Sequence, residues 1–219
     1  MTGMIFWGAG GQAKVLRECM RDSGLALLAL FDNNPALASP FAGTPLYHGR
    51  RGFEEWIAAQ PASRSLGCLV AIGGDRGRER VEIQDYLAAH GLTPLVATHR
   101  SAFVADDVSL GGGSQVLAQA AIGVETVLGR GCIINTGATV DHECRLGDGV
   151  HVGPGAHLAG CVVVGAFAMI GTGAVVLPRV TIGENALVGA GTIVVDPVPA
   201  NAVVAGNPAR VLRTRGPAA

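Results

Sequence analysis

The sequence carries little charge, and the two signs nearly cancel. Its 219 residues include 16 Lys and Arg and 17 Asp and Glu, which gives a formal net charge of -1 at pH 7. Proteins that bind nucleic acids or anionic membranes present clusters of positive charge. We therefore expect neither a nucleic acid nor a membrane as a partner.

Long apolar runs and paired cysteines are also missing. Glycine interrupts the apolar stretches every few residues, and a run of only four apolar residues precedes the first glycine turn. We expect neither a signal peptide nor a membrane-spanning helix. For that reason we also expect a cytoplasmic protein. The five cysteines are odd in number and contain no Cys-x-x-Cys pair, which indicates reduced thiols.

Glycine and a six-residue aliphatic repeat are what the sequence has in abundance. From Val104 to Val194 every sixth residue is Leu, Ile or Val, and the residue two positions earlier is small or β-branched. Residues two apart on a strand point to the same side, so both classes line one interior. The spacing predicts a left-handed parallel β-helix of hexapeptide repeats, with three hexads in each triangular coil and roughly five coils.

Glycine often follows the aliphatic residue, and we expect it to give the backbone the freedom to turn a corner there.

The residue before the aliphatic one points outward. Positions eighteen apart then form an apolar wall that includes Ile133, His151, Met169 and Leu187. An exposed apolar wall favours association with another copy, and a three-faced prism suits a closed trimer.

The first hundred residues follow a different pattern. Strands are predicted at 4–7, 25–31, 66–72 and 95–97, and helices at 15–24 and 76–90. This order predicts a small parallel sheet with helices on its faces and a ligand at the carboxyl ends of its strands. The fold class is therefore an α/β, Rossmann-like domain over residues 1–98, followed by an all-β β-helix domain with a C-terminal tail over residues 99–219.

The loop after the first strand, Gly-Ala-Gly-Gly-Gln-Ala-Lys at 8–14, meets a relaxed dinucleotide-binding fingerprint. Backbone N–H groups at a helix N-terminus suit phosphate, and a sheet of this length favours a mononucleotide over NAD. A tight turn that binds nothing is the alternative. Asp32 suits a hydroxyl or ring N–H donor, or it forms a turn before Pro35. Arg78 suits a phosphate, or it is a solvated helix residue.

His142 falls on an outward corner position, and Gly160, one coil further on, is expected to leave space beside it. An exposed neutral imidazole can accept a proton near pH 7. Asp141 and Glu143 flank it, and either carboxylate could orient the ring if the backbone bends there.

These segments resemble the hexapeptide-repeat acyltransferases, and within them the bacterial nucleotide-sugar N-acetyltransferases, which are also similar to the sialic-acid O-acetyltransferase family. The resemblance is carried by GAGGQAK at 8–14, FDNN at 31–34, VAIGGDRGRERV at 70–81, INTGATVDHECRLGDGVHVGPGAHLAG at 134–160 and AGNPAR at 205–210. The block at 134–160 is the most specific of them.

The resemblance implies a homotrimer that transfers the acetyl group of acetyl-CoA to the amine of a nucleotide-linked amino sugar, a 4-amino-4,6-dideoxy sugar, in bacterial surface glycan synthesis. It implies that His142 is the catalytic base and Glu143 its carboxylate partner, with no metal. The implied substrate-binding residues are Gly10, Gly11, Gln12, Asp32, Asn33, Gly73 and Arg78. The implied acetyl-CoA-binding residues are Asn135, His151, Gly160, Thr172 and Ala190. Where the family loop usually has a histidine, this chain has Gln12, which cannot carry charge.

Three other functions remain open at this point. One is O-acetylation of sialic acid within the same enzyme class. Another is a γ-type carbonic anhydrase, with zinc held by His142, His151 and His157. The third is a structural trimer with a nucleotide-sensing domain and no catalysis.

Overall fold

The computed structural model describes residues 1, 3–61 and 65–216. The N-terminal part contains β1 (Gly3–Trp7), α1 (Gly11–Cys19), β2 (Leu27–Asp32), β3 (Leu46–His48), α2 (Gly49–Ala58), β4 (Leu66–Val70), α3 (Gly77–Ala89) and β5 (Thr93–Pro94). The five strands form one parallel sheet in the order β3-β2-β1-β4-β5. Strands β1 and β4 are buried along their whole length, as expected of central strands covered on both faces.

Three elements of this part of the chain, β3, α2 and β5, are not among the predicted ones. The sequence predicts the last strand at 95–97, but the sheet ends with β5 at Thr93–Pro94, and Ala97 belongs to the first strand of the β-helix. β3 is only three residues long and lies at the sheet edge, which gives too short a pattern to recognise. α2 starts with Gly-Arg-Arg-Gly, but Phe53, Trp56 and Ile57 pack on the sheet with helical spacing, and that spacing is a signal in the sequence.

The rest of the chain is a parallel β-helix of two-residue strands. These are β6 (Ala97–Thr98), β7 (Phe103–Val104), β8 (Ser109–Leu110), β9 (Gln115–Val116), β10 (Ala121–Ile122), β11 (Val127–Leu128), β12 (Ile133–Ile134), β13 (Thr139–Val140), β14 (Arg145–Leu146), β15 (His151–Val152), β16 (His157–Leu158), β17 (Val163–Val164), β18 (Met169–Ile170), β19 (Val175–Val176), β20 (Thr181–Ile182), β21 (Leu187–Val188) and β22 (Ile193–Val194). A terminal hairpin follows, made of β23 (Ala202–Ala205) and β24 (Arg210–Thr214).

The β-helix has three faces, which we name by their strands. Face 1 contains β6, β9, β12, β15, β18, β21 and the hairpin; face 2 contains β7, β10, β13, β16, β19 and β22; face 3 contains β8, β11, β14, β17 and β20. From β6 to β19, each strand pairs in parallel with the strand eighteen residues further on, as Ile133 does with His151. The predicted coil of three hexads is confirmed, and so is the fold class.

Both predicted interior classes lie in one core that runs the length of the β-helix. Aliphatic residues such as Ile134 and Val140 alternate there with small ones such as Ala138 and Cys144, all of them buried. Because side chains two positions apart share this interior, large and small residues pack against one another along its length.

The predicted role of the glycines that follow the aliphatic positions is wrong. The left-handed backbone lies two residues later, for example at Glu143 and Gly155, with φ of 59° and 60°. At Gly171, which follows an aliphatic residue, an added Cβ would lie 2.6 Å from the backbone N of Ala190 in the next coil. These glycines are needed because stacked coils approach too closely for a side chain.

Half of the predicted apolar wall, Ile133 and His151, is not left for another copy to cover, contrary to the prediction, whereas Met169 and Leu187 stay partly exposed. The wall belongs to face 1, and the N-terminal part of the same chain packs on Ile133 and His151, so these two residues are buried. The buried guanidinium of Arg80 on α3 donates hydrogen bonds of 2.6 and 2.8 Å to the carbonyls of Gly131 and Gly149 at the β-helix corners.

β6 already pairs with β9, so the β-helix begins two residues before the predicted boundary at residue 99. The division into two domains stays a prediction. No helix in the described ranges is long and apolar enough to cross a membrane.

Candidate active site

His142 lies at the corner between β13 on face 2 and β14 on face 3. Its backbone N–H donates to Oδ1 of Asp141 at 2.8 Å. Of the two flanking carboxylates, Asp141 therefore fixes the corner's backbone and does not orient the ring.

Glu143 orients the imidazole. Its φ of 59° supplies the bend that neighbouring side chains need in order to meet, a conformation uncommon outside glycine. Oε2 of Glu143 lies 2.9 Å from Nδ1 of His142. This hydrogen bond is the main reason that the pKa of Glu143 lies below its usual value, and a weaker contact with the thiol of Cys161 acts in the same direction.

An ionised carboxylate only accepts hydrogen bonds, so Nδ1 carries the ring proton and Nε2 keeps a lone pair. A Cβ at Gly160 would overlap Nε2 of His142. The space predicted beside the histidine is thus occupied by the ring itself, which lies over the next coil. Because 47% of the His142 side chain stays exposed, the ring remains accessible to a substrate.

An apolar groove of about 420 Å³ runs along face 2 up to this corner. Its lining includes Asp141, Ala159 and the exposed side chains of Phe103 and Leu177. An acyl donor lying in the groove would approach the imidazole from face 2.

A second cleft, of about 340 Å³, lies at the carboxyl ends of β1 and β4, where the strand order of the sheet reverses direction. Such switch points are where open parallel sheets bind ligands. The structure brings six of the seven predicted substrate-binding residues together here: Gly10, Gly11, Gln12, Asp32, Asn33 and Gly73.

Two predicted residues of the substrate set behave differently from expectation. The carboxylate of Asp32 accepts backbone N–H groups of Ala9 and Asn34 at 2.8 and 2.9 Å, so it shapes the loop as well as lining the cleft. Arg78 lies outside the cleft. Its guanidinium stacks 4.2 Å from the Phe167 ring centroid and pairs with Glu184 at 3.2 Å.

Gln12 has a fixed orientation, set by a residue that the sequence patterns did not single out. Nε2 of the buried Gln115 donates to the carbonyl of Val70 at 2.8 Å, so its Oε1 must be the acceptor for Nε2 of Gln12 at 2.7 Å. Gln12 therefore turns Oε1 towards Gly73 and the cleft. Gln115 lies eighteen residues before Ile133, so the spacing could have placed it on the same wall of face 1, but not shown what covers that wall.

The structure does not bring the five predicted acetyl-CoA residues together. Gly160 lies under His142, while Thr172 and Ala190 are exposed on the corner between faces 1 and 2. Asn135 donates through its side-chain amide to Nε2 of His151 at 3.1 Å, and Nδ1 of His151 donates to the Gly74 carbonyl at 3.0 Å. His151 is a buried contact between the two parts of the chain.

The three histidines of the zinc alternative do not fit a metal site within the chain. Both ring nitrogens of His151 are engaged, and burial is the main reason that its pKa falls to about 4. His157 lies on face 2, where its Nδ1 is 2.9 Å from the hydroxyl of Thr139.

A known protein family matches the β-helix part of the chain. The family described as bacterial transferase hexapeptide (six repeats) matches residues 125–160 and 161–196. Among curated proteins, none matches the chain significantly.

Solved structures match nearly the whole chain. PerB from Caulobacter crescentus, in complex with CoA and GDP-perosamine, is 37% identical over 97% of this chain and 98% of that chain, with a TM-score of 0.87. The acetyltransferase domain of PglB from Neisseria gonorrhoeae, in complex with acetyl coenzyme A, is 33% identical over 96% and 98%, with a TM-score of 0.84. WeeI from Acinetobacter baumannii is 27% identical over 97% and 100%, with a TM-score of 0.83. The chain therefore belongs to the hexapeptide-repeat bacterial sugar acetyltransferases.

Proposed function

We propose that this protein transfers the acetyl group of acetyl-CoA to the amine of a nucleotide-linked amino sugar. The observation that carries the proposal is the exposed His142 ring, held through Nδ1 by Glu143 with Nε2 free. The similarity to PerB, which was crystallised with CoA and GDP-perosamine, and to a PglB domain that was crystallised with acetyl coenzyme A, supports both co-substrates.

The reaction follows from this geometry. The neutral sugar amine attacks the thioester carbonyl carbon, and Nε2 of His142 accepts the proton that the amine loses. The charge on Glu143 stabilises the imidazolium that forms. When the tetrahedral adduct collapses, the carbon–sulfur bond breaks, and the CoA thiolate takes the proton back from Nε2. An amide and free CoA are the products, and no covalent enzyme intermediate forms.

The mechanism needs no cysteine nucleophile, because the amine attacks the thioester directly, and Cys144 is unsuited to that role. A nucleophilic thiol needs a lowered pKa or an adjacent base, whereas burial raises the pKa of the nearby Cys144 to about 11. All five cysteines are free. Free thiols agree with the proposed cytoplasmic location, where acetyl-CoA is available.

The proposed substrate is a nucleotide-linked 4-amino-4,6-dideoxy sugar in bacterial surface glycan synthesis. Its nucleotide lies in the cleft at the ends of β1 and β4. There the backbone N–H groups at the start of α1 face the phosphates, and Oε1 of Gln12 accepts a hydroxyl or N–H donor of the ligand. O-acetylation of sialic acid is the alternative within the same chemistry.

The proposed assembly is a homotrimer. His142 lies between face 2 and face 3, and both carry exposed apolar side chains, such as Phe103 (62% exposed) on face 2 and Val163 (43%) on face 3. Packing face 2 of one copy near face 3 of the next would cover them and enclose the corner in a cleft between copies. Light scattering on the purified protein would give the mass of the assembly.

One assay tests the proposed activity. Acetyl-CoA is offered with UDP-, GDP- and dTDP-linked amino sugars, with sialic acid as the control acceptor, and thiol release is followed. We expect release with at least one nucleotide-linked amino sugar and none with its 4-hydroxy counterpart. Thiol release with sialic acid and with none of the nucleotide-linked sugars would favour O-acetylation. If none of the acceptors caused thiol release, the proposal would be contradicted.

A further inference from the structure

The His142 corner also brings together three side chains of metal-binding type. A ring nitrogen of His142, a carboxylate oxygen of Glu143 and Sγ of Cys161 all lie within 4.8 Å of one another. Nδ1 of His142 is 2.9 Å from Oε2 of Glu143, and Sγ of Cys161 is 3.7 Å from the same oxygen. Ligands of one tetrahedral zinc ion, at about 2.0–2.3 Å from the metal, are separated by similar distances.

The backbone holds this set in place. Glu143 and Cys161 occupy equivalent corner positions in successive coils, both with left-handed φ, at 59° and 62°. The backbone N–H of Cys161 donates to the carbonyl of His142 at 2.9 Å. Because the stacked coils fix the Cα positions, the three ligand atoms need only small side-chain rotations to converge on an ion.

We propose that this corner binds Zn²⁺ and that the bound ion inhibits the enzyme. Imidazole, thiolate and carboxylate are the ligands that zinc prefers, and three of them leave one position for water. On binding, the Cys161 thiol releases its proton to solvent, and Glu143 exchanges its hydrogen bond from Nδ1 for a bond to the metal.

Inhibition follows from the tautomer of His142, and this step rests on the proposed function. A metal ion on Nδ1 uses the lone pair of that nitrogen, so the single proton of the neutral ring moves to Nε2. Nε2 then has no lone pair to accept the proton of the attacking amine. Zinc thereby removes the catalytic base without displacing any part of the fold.

Cobalt binding tests the site without depending on catalysis. Chelator-treated protein is titrated with Co²⁺, and the near-ultraviolet thiolate-to-cobalt charge-transfer absorption is recorded. We expect one bound ion per chain with this absorption in the wild type and in His157→Gln, a matched histidine variant on face 2. We expect the absorption to be lost in Cys161→Ala. An unchanged absorption in Cys161→Ala, or none in the wild type, would overturn the proposal.

Zinc inhibition of acetyl transfer is the second measurement. Each variant is compared with its own zinc-free rate, and we expect the half-inhibitory Zn²⁺ concentration to rise at least ~10-fold in Cys161→Ala, as for loss of a metal-site interaction. A chelator should restore the wild-type rate. Equal inhibition of both proteins would place the inhibitory zinc elsewhere. Cobalt binding through Cys161 without acetyl transfer to any acceptor would refute the proposed function and leave the metal site standing.

Discussion

A single side chain, His142, is expected to carry the proton transfer. Replacing it with alanine removes the imidazole that accepts the proton of the amine and leaves the core untouched, because the side chain is half exposed. We predict that His142→Ala folds and assembles normally and loses at least ~100-fold in turnover, the low end of general-base effects. Steady-state thiol release measures the loss, and circular dichroism checks the fold. Near-normal turnover would show that another group accepts the proton.

Gln115 is expected to act on the substrate through Gln12. In Gln115→Leu, the Gln12 amide loses the acceptor that fixes its orientation, so Oε1 no longer faces the cleft reliably. We predict a rise of about tenfold in KM for the nucleotide sugar, equivalent to about 1.4 kcal/mol, with kcat and the KM for acetyl-CoA little changed.

Gln84→Leu provides the matched control for this prediction. Gln84 also donates its amide across the contact between α3 and the β-helix, to the Gly112 carbonyl at 3.0 Å, but it does not line the cleft. Gln115→Leu and Gln84→Leu should lower the free energy of unfolding by similar amounts. Equal KM values in the two variants would refute the role of Gln115.

The sequence identifies residues best where a repeat fixes their position. The hexad pattern placed His142 on an outward corner, and the structure agrees. It could not show which carboxylate meets the ring, because that depends on the left-handed backbone of Glu143. Nor could it show that Arg78 stacks on Phe167 outside the cleft, since that contact joins segments far apart in the chain.

At the scale of the elements, the close stacking of coils makes a sharp prediction about glycine. In Gly171→Ala, the new Cβ would lie 2.6 Å from the backbone N of Ala190, and backbone cannot move aside cheaply. We predict a loss of about 1–3 kcal/mol in the free energy of unfolding, typical of overpacking. Thermal melting followed by circular dichroism would measure it.

Gly189 is the matched control, since it occupies the same position one coil later. Its nearest neighbour would be the Cβ of Ala205 at 3.2 Å, a side-chain contact at the less crowded terminal hairpin. Gly189→Ala should therefore melt closer to the wild type. If the two variants melted alike, crowding by the next coil would not be the reason for these glycines.

The elements themselves were predictable to different degrees. The short β-helix strands follow from the period, because each hexad repeats the same interior pair. β3, β5 and α2 were not predicted at their observed places. Edge strands of three and two residues have no period of their own, and a helix that starts with glycine lacks the usual capping signals. The coverage of face 1 by the N-terminal part of the chain is a tertiary contact, which no local pattern encodes.

For the whole molecule, the junction between the sheet and the β-helix is expected to weaken in acid because it buries His151. Burial is the first cause that lowers the pKa of His151 to about 4 from its ordinary 6.5, and the charge of Arg80 acts in the same direction. The unfolded chain then binds a proton near pH 6.5 that the folded chain binds only near pH 4. The stabilising contribution of neutral His151 is complete above pH 6.5 and is lost as the pH falls towards 4.

The loss amounts to about 3 kcal/mol over this window, at 1.36 kcal/mol per pH unit. Urea unfolding between pH 4 and pH 7, followed by the fluorescence of Trp7 and Trp56 in the N-terminal part of the chain, would measure it. His151→Gln keeps a hydrogen-bonding side chain and cannot titrate, so its stability should depend less on pH by about that amount. His157→Gln, which replaces an exposed histidine, should keep the wild-type slope. Parallel pH profiles for the wild type and His151→Gln would mean that protonating His151 does not loosen the junction.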